Sequence, residues 1–314
     1  MPRGSLVKRS VLWLGLLMPL MLYGVGIWRR PSRQVVTRQP LFRGIVYSRH
    51  IADHPRPQVA HVVEIDLTTP GLIPYVTPAY QPVAEIDPLD WERRETIARR
   101  TSEAIKAEGL QLAINANYFF PFREVTLWNY QPRSGQLASL VGLAIANGNK
   151  TSAEDPQRAA ICFLNQQATI RGDSACPQET QQAVAGNWML LNQGQPTETV
   201  QQQLPNEDNK PYSYTIAALD ATGTRLWLVL IDGKQPLYSE GMTLAEVTRF
   251  VQALGADTAL QLDGGGSTTI AIAAATGPQV LNAPIHAKVP GQERPVANHL
   301  GFFAQPLDPE IDNN

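Results

Sequence analysis

Asp263 is followed by Gly264, Gly265 and Gly266 and then by three hydroxyl residues, Ser267, Thr268 and Thr269, directly after the apolar run "TALQL". Successive glycines let neighbouring N–H groups turn to one side and hold an anion, with phosphate the natural guest and the hydroxyls adding donors beside it. A tight turn that needs φ > 0 is the purely structural alternative. No lysine follows the glycines, so this is not a P-loop, and it is not a GxGxxG dinucleotide turn. A carboxylate repels a phosphate. Asp263 must therefore address a neighbouring group, hold a metal, or accept the N–H groups of its own turn.

Other polar groups stand at comparable places. Asn115 and Asn117 follow the apolar "LQLAI". Asp232, Gly233 and Lys234 end "RLWLVLI", with Glu240 close behind. Arg294 and Asn298 lie in "ERPVANH" ahead of a last apolar stretch. An arginine in such a loop can grip an anion through two parallel hydrogen bonds; a lone surface arginine is the plainer alternative. The histidines form no comparable constellation. His50, His54 and His61 lie close together, but the intervening "PRP" interrupts the helix that an HxxxH metal pair needs. There is no serine nucleophile elbow and no Cys/His pairing. No cofactor is implied, and a divalent cation stays an open alternative.

These residues are carried by two segments of the same plan. In "ETIARRTSEAIKAEGLQLAINANYF", Ile97, Thr101, Ala104 and Ile105 share a helical face, Gly109 supplies a C-cap, and a strand follows. In "TLAEVTRFVQALGADTALQLDGGG", Thr243 and Glu246 form a capping box. Leu244, Val247, Val251 and Leu254 make the apolar stripe, and Gly255 ends the helix before the next strand. Both place polar residues just past a strand's carboxyl end, where sheets gather ligands, so the two loops are expected to converge on one site. "HVVEIDL" and "RLWLVLIDG" read as strands and "LDATGTRL" as a hairpin. The expected fold class is α+β: a mixed, mostly antiparallel β core with a few packed helices, preceded by an N-terminal membrane helix.

The 314 residues, 43% hydrophobic with a formal net charge of -2, carry no basic stripe, which excludes nucleic acid as the expected partner. "MPRGSLVKRS" is basic, eighteen uncharged residues follow, and "RRPSR" closes them. Residues 1–30 therefore read as a signal or anchor, and the lack of an A-x-A cleavage pattern favours an anchor in the membrane. Residues 31–40 read as a linker, 41–306 as one domain and 307–314 as a tail. The domain is expected outside the cytoplasm. Cys162 and Cys176 are then expected to form one disulfide across a hairpin, two separate buried thiols being the alternative.

Taken together, "AINANYF", "GNWMLLNQG", "LWLVLIDGK", "GMTLAEVTRFVQALGADTALQLDGGGSTT" and "ERPVANHLG" resemble, in order, the blocks of the phosphodiester glycosidase family, over roughly residues 110–303. The resemblance implies a hydrolase that cleaves a sugar, such as an N-acetylhexosamine, from a phosphodiester-linked glycan of the cell envelope or exopolysaccharide. It implies that Asn115, Asp232, Gly233, Gly241, Asp263, the three glycines, Ser267, Arg294 and Asn298 match motif positions. On this reading Asp263, Asp232 and Glu240 are the catalytic candidates. Asn115, Asn117, Gly264 to Gly266, Ser267, Thr268, Arg294 and Asn298 are the substrate and phosphate ligands. The chain departs from the family pattern at Ala116, where Gly is usual after Asn, and at Lys234, where Arg follows Asp-Gly. It departs again at Tyr214-Thr215-Ile216, where Arg-Thr-Ala is common. A non-catalytic envelope module that binds phosphorylated polysaccharide, and a metal-dependent phosphodiesterase, are the competing readings.

Overall fold

The computed structural model describes residues 21, 23–80, 95–203 and 210–307. Its centre is an eight-stranded sheet whose middle strands run in the order Gln58–Asp66, Arg225–Asp232, Tyr214–Leu219 and Thr258–Gln261. Successive side chains of a strand point to opposite faces. In Arg225–Asp232, Leu226, Leu228 and Leu230 enter one core while Trp227, Val229 and Ile231 enter another. This strand can be apolar throughout because both of its faces are covered.

The first core is shared with two five-stranded sheets, through Leu112, Ile114, Ile270, Leu300 and Phe302 of one and Ile161, Phe163 and Val184 of the other. The second core is closed by the helix Leu244–Ala253, which buries Leu244, Val247 and Val251 against the central sheet. The expected capping box is present. Thr243 accepts from the Glu246 N–H at 3.2 Å, and the Thr243 N–H donates to Glu246 Oε2 at 2.8 Å. The helix Thr101–Glu108 packs Ile105 against Ala113 and Ala271 and ends at Gly109, whose φ of +72° suits a residue without Cβ.

All strand ladders among the described residues are antiparallel, and the one parallel pairing is the isolated bridge between Ile285 and Gln292. Two local readings change. Ile97 is not on the helical face, because Thr96–Ile97 is a short strand paired with Leu137 and Ala138 and the helix starts only after Arg100. Its N-terminus is set by the Arg100 N–H, which donates to Glu103 at 2.9 Å. The stretch 31–40 is also not all linker, since the strand Val36–Phe42 pairs with Ile45–Ala52 from Val36 onward. Pro40 is compatible with its place in this edge strand.

The N-terminal apolar run lies mostly outside the described residues. Of it, residues 23–28 are helical. No helix among the described residues is long and apolar enough to cross a membrane.

Cys162 and Cys176 form a disulfide with Cα atoms 5.7 Å apart. Cys162 lies on Ala160–Leu164, which forms a hairpin with Gln167–Arg171, and the bridge ties the segment after the hairpin back to it. Closing a loop of this size stabilises by about 3 kcal/mol in the chain-entropy model. Replacing both cysteines by alanine is expected to lower the thermal midpoint by that equivalent and to leave turnover unchanged, since neither residue lines the cleft described below. Equal midpoints with and without reductant would show that the bridge does not contribute.

Candidate active site

The two loops that follow the Leu112–Asn115 and Thr258–Gln261 strands do meet. The Asp263 N–H donates to the Ala116 carbonyl at 3.0 Å, and Asn115 Nδ2 donates to the Asp263 carbonyl at 2.6 Å. Asn115 Oδ1 accepts from the Thr269 N–H at 3.1 Å and from the Thr215 hydroxyl at 3.0 Å. Asn115 is fully buried. It staples both ends of the glycine loop and does not face a ligand.

The three glycines have steric reasons. A Cβ at Gly264 would stand 2.7 Å from the Ser213 carbonyl, and one at Gly266 would stand 2.3 Å from an Arg294 guanidinium nitrogen. At Gly265 it would stand 2.7 Å from the Tyr212 hydroxyl, on a backbone with φ of +62°. The expected cradle of bare N–H groups is not formed. The Gly265 N–H donates to Ser213 at 3.0 Å, and those of Ser267 and Thr268 donate to Gly264 and Gly265 at 3.2 and 3.3 Å. Gly265, Gly266, Ser267 and Thr268 are buried, and Gly264 alone of the glycines lines the neighbouring cleft. The loop is a 3₁₀ turn that lets Tyr212 and Arg294 come close to its backbone.

The cleft holds about 450 Å³ and is lined by Asp263, Gly264, Arg294, Lys234, Glu124, Tyr118 and Tyr212, with Phe119 and Phe122 on its wall. Burial raises the Asp263 carboxyl to about 6, although the Ser267 hydroxyl, the Arg294 charge and the Gly264 N–H pull it down. Arg294 Nη1 donates to Ser267 Oγ at 3.0 Å, Nη2 pairs with Glu124, and the guanidinium lies 4.8 Å from the centre of the Phe122 ring. Its Nε is buried and has no partner. Burial works to raise Glu124, but His286 and Arg294 outweigh it and hold this carboxyl at about 2. Lys234 Nζ sits 4.0 Å from the centre of the Tyr212 ring, a cation–π contact that places a second positive charge on the cleft. Burial, with the Asp263 charge nearby, pushes the Tyr118 phenol well above its ordinary value, so it stays a hydrogen-bond donor.

Several candidates from the sequence lie outside this cleft. Asp232 is buried in a network of its own. It faces His61 Nε2 at 3.0 Å and accepts from Asn282 Nδ2 at 3.0 Å and from the Ala283 N–H at 3.1 Å. Asn282 also donates to the Thr268 carbonyl at 3.0 Å and accepts from the Ile270 N–H at 2.9 Å. Asp232 thus fixes the exit of the glycine loop and cannot reach a substrate. Glu240 does not line the cleft either. Its carbonyl accepts from the Lys234 N–H at 3.4 Å and its N–H donates to Pro57 at 2.8 Å, so it shapes the turn that presents Lys234.

Asn117 and Asn298 bond each other twice, each bond at 2.9 Å, and Asn117 Nδ2 also donates to the Leu143 carbonyl at 3.1 Å. Thr268 is buried and does not line the cleft; its hydroxyl accepts from Thr215 at 3.3 Å. Tyr214, standing where the family commonly has Arg, is buried in the second core and brings no charge. Sequence reasoning missed Glu124, Tyr118, Tyr212 and Phe122. Only Tyr118 carried a signal, its place directly after Asn117. Among the described residues no three His, Cys, Asp or Glu side chains stand close enough together to hold a metal ion.

The model of the phosphodiester glycosidase family matches residues 108–303. The chain belongs to the phosphodiester glycosidase family. No curated protein matches it by sequence. Among solved structures, a hypothetical protein from Synechocystis is similar, with 15% identity, a TM-score of 0.60 and 88% of this chain covered. The chain spans 64% of that protein's length. The zebrafish N-acetylglucosamine-1-phosphodiester alpha-N-acetylglucosaminidase catalytic domain, auto-inhibited by pro-peptide, is similar at 17% identity and a TM-score of 0.57, with 90% of this chain and 93% of that chain covered. At such identities the likeness is one of fold. Within the phosphodiester glycosidase region lie Asp263, Arg294, Lys234 and Glu124, the four charged groups that line the cleft.

Proposed function

We propose that this protein is a hydrolase that cleaves a sugar, an N-acetylhexosamine, from a phosphodiester-linked glycan of the cell envelope or exopolysaccharide. The observation that carries the reading is Asp263, a buried carboxyl at about 6 on a cleft that also presents Arg294 and Lys234. Asp263 is the one carboxyl there that titrates near neutrality. Glu124, at about 2 and tied to Arg294 and His286, stays ionised and cannot supply a proton. Glu124 is committed to Arg294 and His286, so Asp263, once ionised, is the carboxyl left to act as nucleophile or base at the anomeric carbon. The leaving group must then depart without a dedicated acid. A phosphate monoester, whose second pKa is about 6, does so. Arg294 and Lys234, the two cations that line the cleft, stabilise the charge that develops on it.

The family match and the zebrafish neighbour's stated activity support the substrate class. The N-terminal apolar run would hold the domain at a membrane, on the outer side, where a disulfide persists. The test compares a methyl glycosyl phosphate with the methyl glycoside of the same sugar. The first should be hydrolysed and the second should not, because an alkoxide is a far poorer leaving group. Comparable rates on both would overturn the reading, and tight binding of the phosphodiester without hydrolysis would make the protein an envelope binding module.

A further inference from the structure

Beside the cleft stands a hairpin whose strands, Arg123–Glu124 and Tyr130–Gln131, pair with each other. Its tip and approach expose Phe120, Phe122 at 52%, Val125 and Trp128 at 57%. Large apolar side chains concentrated this way on a surface mark a binding site. The hairpin is rooted in the site itself. Glu124 pairs with Arg294 and, at 3.0 Å, with His286, and Tyr130 meets the His286 ring edge-on at 4.5 Å. Phe122 belongs to both places, lining the cleft and carrying the Arg294 guanidinium on its ring. Whatever leaves the cleft past Phe122 therefore runs onto the hairpin.

Charge and rings alternate here. Arg123 and Arg133 are exposed, and neither forms an ion pair among the described residues. Both are held in place, Arg123 by Asn129 and Arg133 by the Trp128 carbonyl at 2.8 Å. We propose that this hairpin is the outer subsite for a polymeric glycan phosphate, whose sugars lie on the Trp128 and Phe122 rings and whose phosphates meet Arg123 and Arg133. The proposal rests on the reading of the cleft as a sugar-phosphodiester site and extends it from the scissile unit to the chain beyond. A lipid surface would be matched by a continuous apolar tip, whereas here Thr126 and Asn129, both exposed, interrupt it.

Trp128→Ala separates the subsite from the chemistry, since Trp128 does not line the cleft. On methyl N-acetylglucosaminyl phosphate, kcat/KM should stay unchanged. On poly(N-acetylglucosamine 1-phosphate) it should fall about tenfold through KM, the loss expected for one aromatic contact. Affinity for the same polymer is measured separately with the Asp263→Asn protein, with and without Trp128→Ala and Arg133→Gln. It should weaken with each, and more so at low salt for Arg133→Gln. If the short diester is never cleaved, the reading of the reaction fails while the polymer affinities still judge the hairpin. Equal losses on short and long substrates, or unchanged polymer affinity, would overturn the subsite. Vesicle binding (phosphatidylglycerol with phosphatidylcholine) that depends on Trp128 while polymer affinity does not would overturn it in favour of a lipid surface.

Discussion

Asp263→Asn should cost about 10³-fold or more in turnover and at the same time make the protein more stable at neutral pH. The carboxyl is raised from 3.8 to about 6 chiefly by burial, so the folded state holds its proton more tightly than the unfolded chain does. Below about pH 4 Asp263 is protonated in both states and costs nothing. Between about pH 4 and pH 6 the unfolded chain ionises first and folding stability is lost. Above about pH 6 the full penalty of a buried carboxylate is present, about 3 kcal/mol at 1.36 kcal/mol per unit. Asparagine keeps an acceptor for the Ser267 hydroxyl and the Gly264 N–H but never ionises. The variant's advantage in denaturant midpoint should therefore be absent at pH 4 and largest at pH 7.5. Wild-type activity should rise through about pH 6 as the carboxylate forms. A variant that is less stable at every pH and turns over normally would show that Asp263 caps the loop and does no more.

Arg294→Gln should lower kcat/KM on a phosphodiester by about 10²-fold to 10³-fold, the range for removing one donor from a developing anion. Arg294 is tied to the cleft in three ways: it donates to Ser267, pairs with Glu124 and lowers the Asp263 carboxyl through its charge. Removing that charge should also move the rise in activity to higher pH, because ionised Asp263 loses a favourable neighbour. Lysine should not restore the rate, since it lacks the planar fork that reaches Ser267 and Glu124 together. A variant with normal kcat/KM and an unmoved pH profile would place the phosphate elsewhere.

The convergence of the Asn115 and Asp263 loops was legible because each follows an apolar strand announced by a helix with clear end signals, the Gly109 stop in one and the Thr243–Glu246 start and Gly255 stop in the other. Local periodicity and capping carry that much. What could not be read depends on partners far away in the chain. Glu124 sits in no motif and becomes part of the site through His286 and Arg294, 162 and 170 residues on. Asp232 reads as a strand-ending acid and a catalytic candidate, yet His61, 171 positions away, turns it into a buried support. The glycines illustrate the same limit. Their spacing suggested bare N–H groups, but Ser213 takes one of these, and Tyr212 and Arg294 occupy the space that side chains would have filled. A glycine run tells that backbone must be approached closely, not by what.

The bond that should break is the one between the anomeric carbon and oxygen, with phosphate leaving. Hydrolysis of methyl N-acetylglucosaminyl phosphate in water enriched in heavy oxygen, followed by mass analysis of both products, decides this. Attack at the anomeric carbon, activated by Asp263, puts the label on the sugar and leaves methyl phosphate unlabelled. Label on the phosphate would mean that the P–O bond is cut, and the protein would then be a phosphodiesterase.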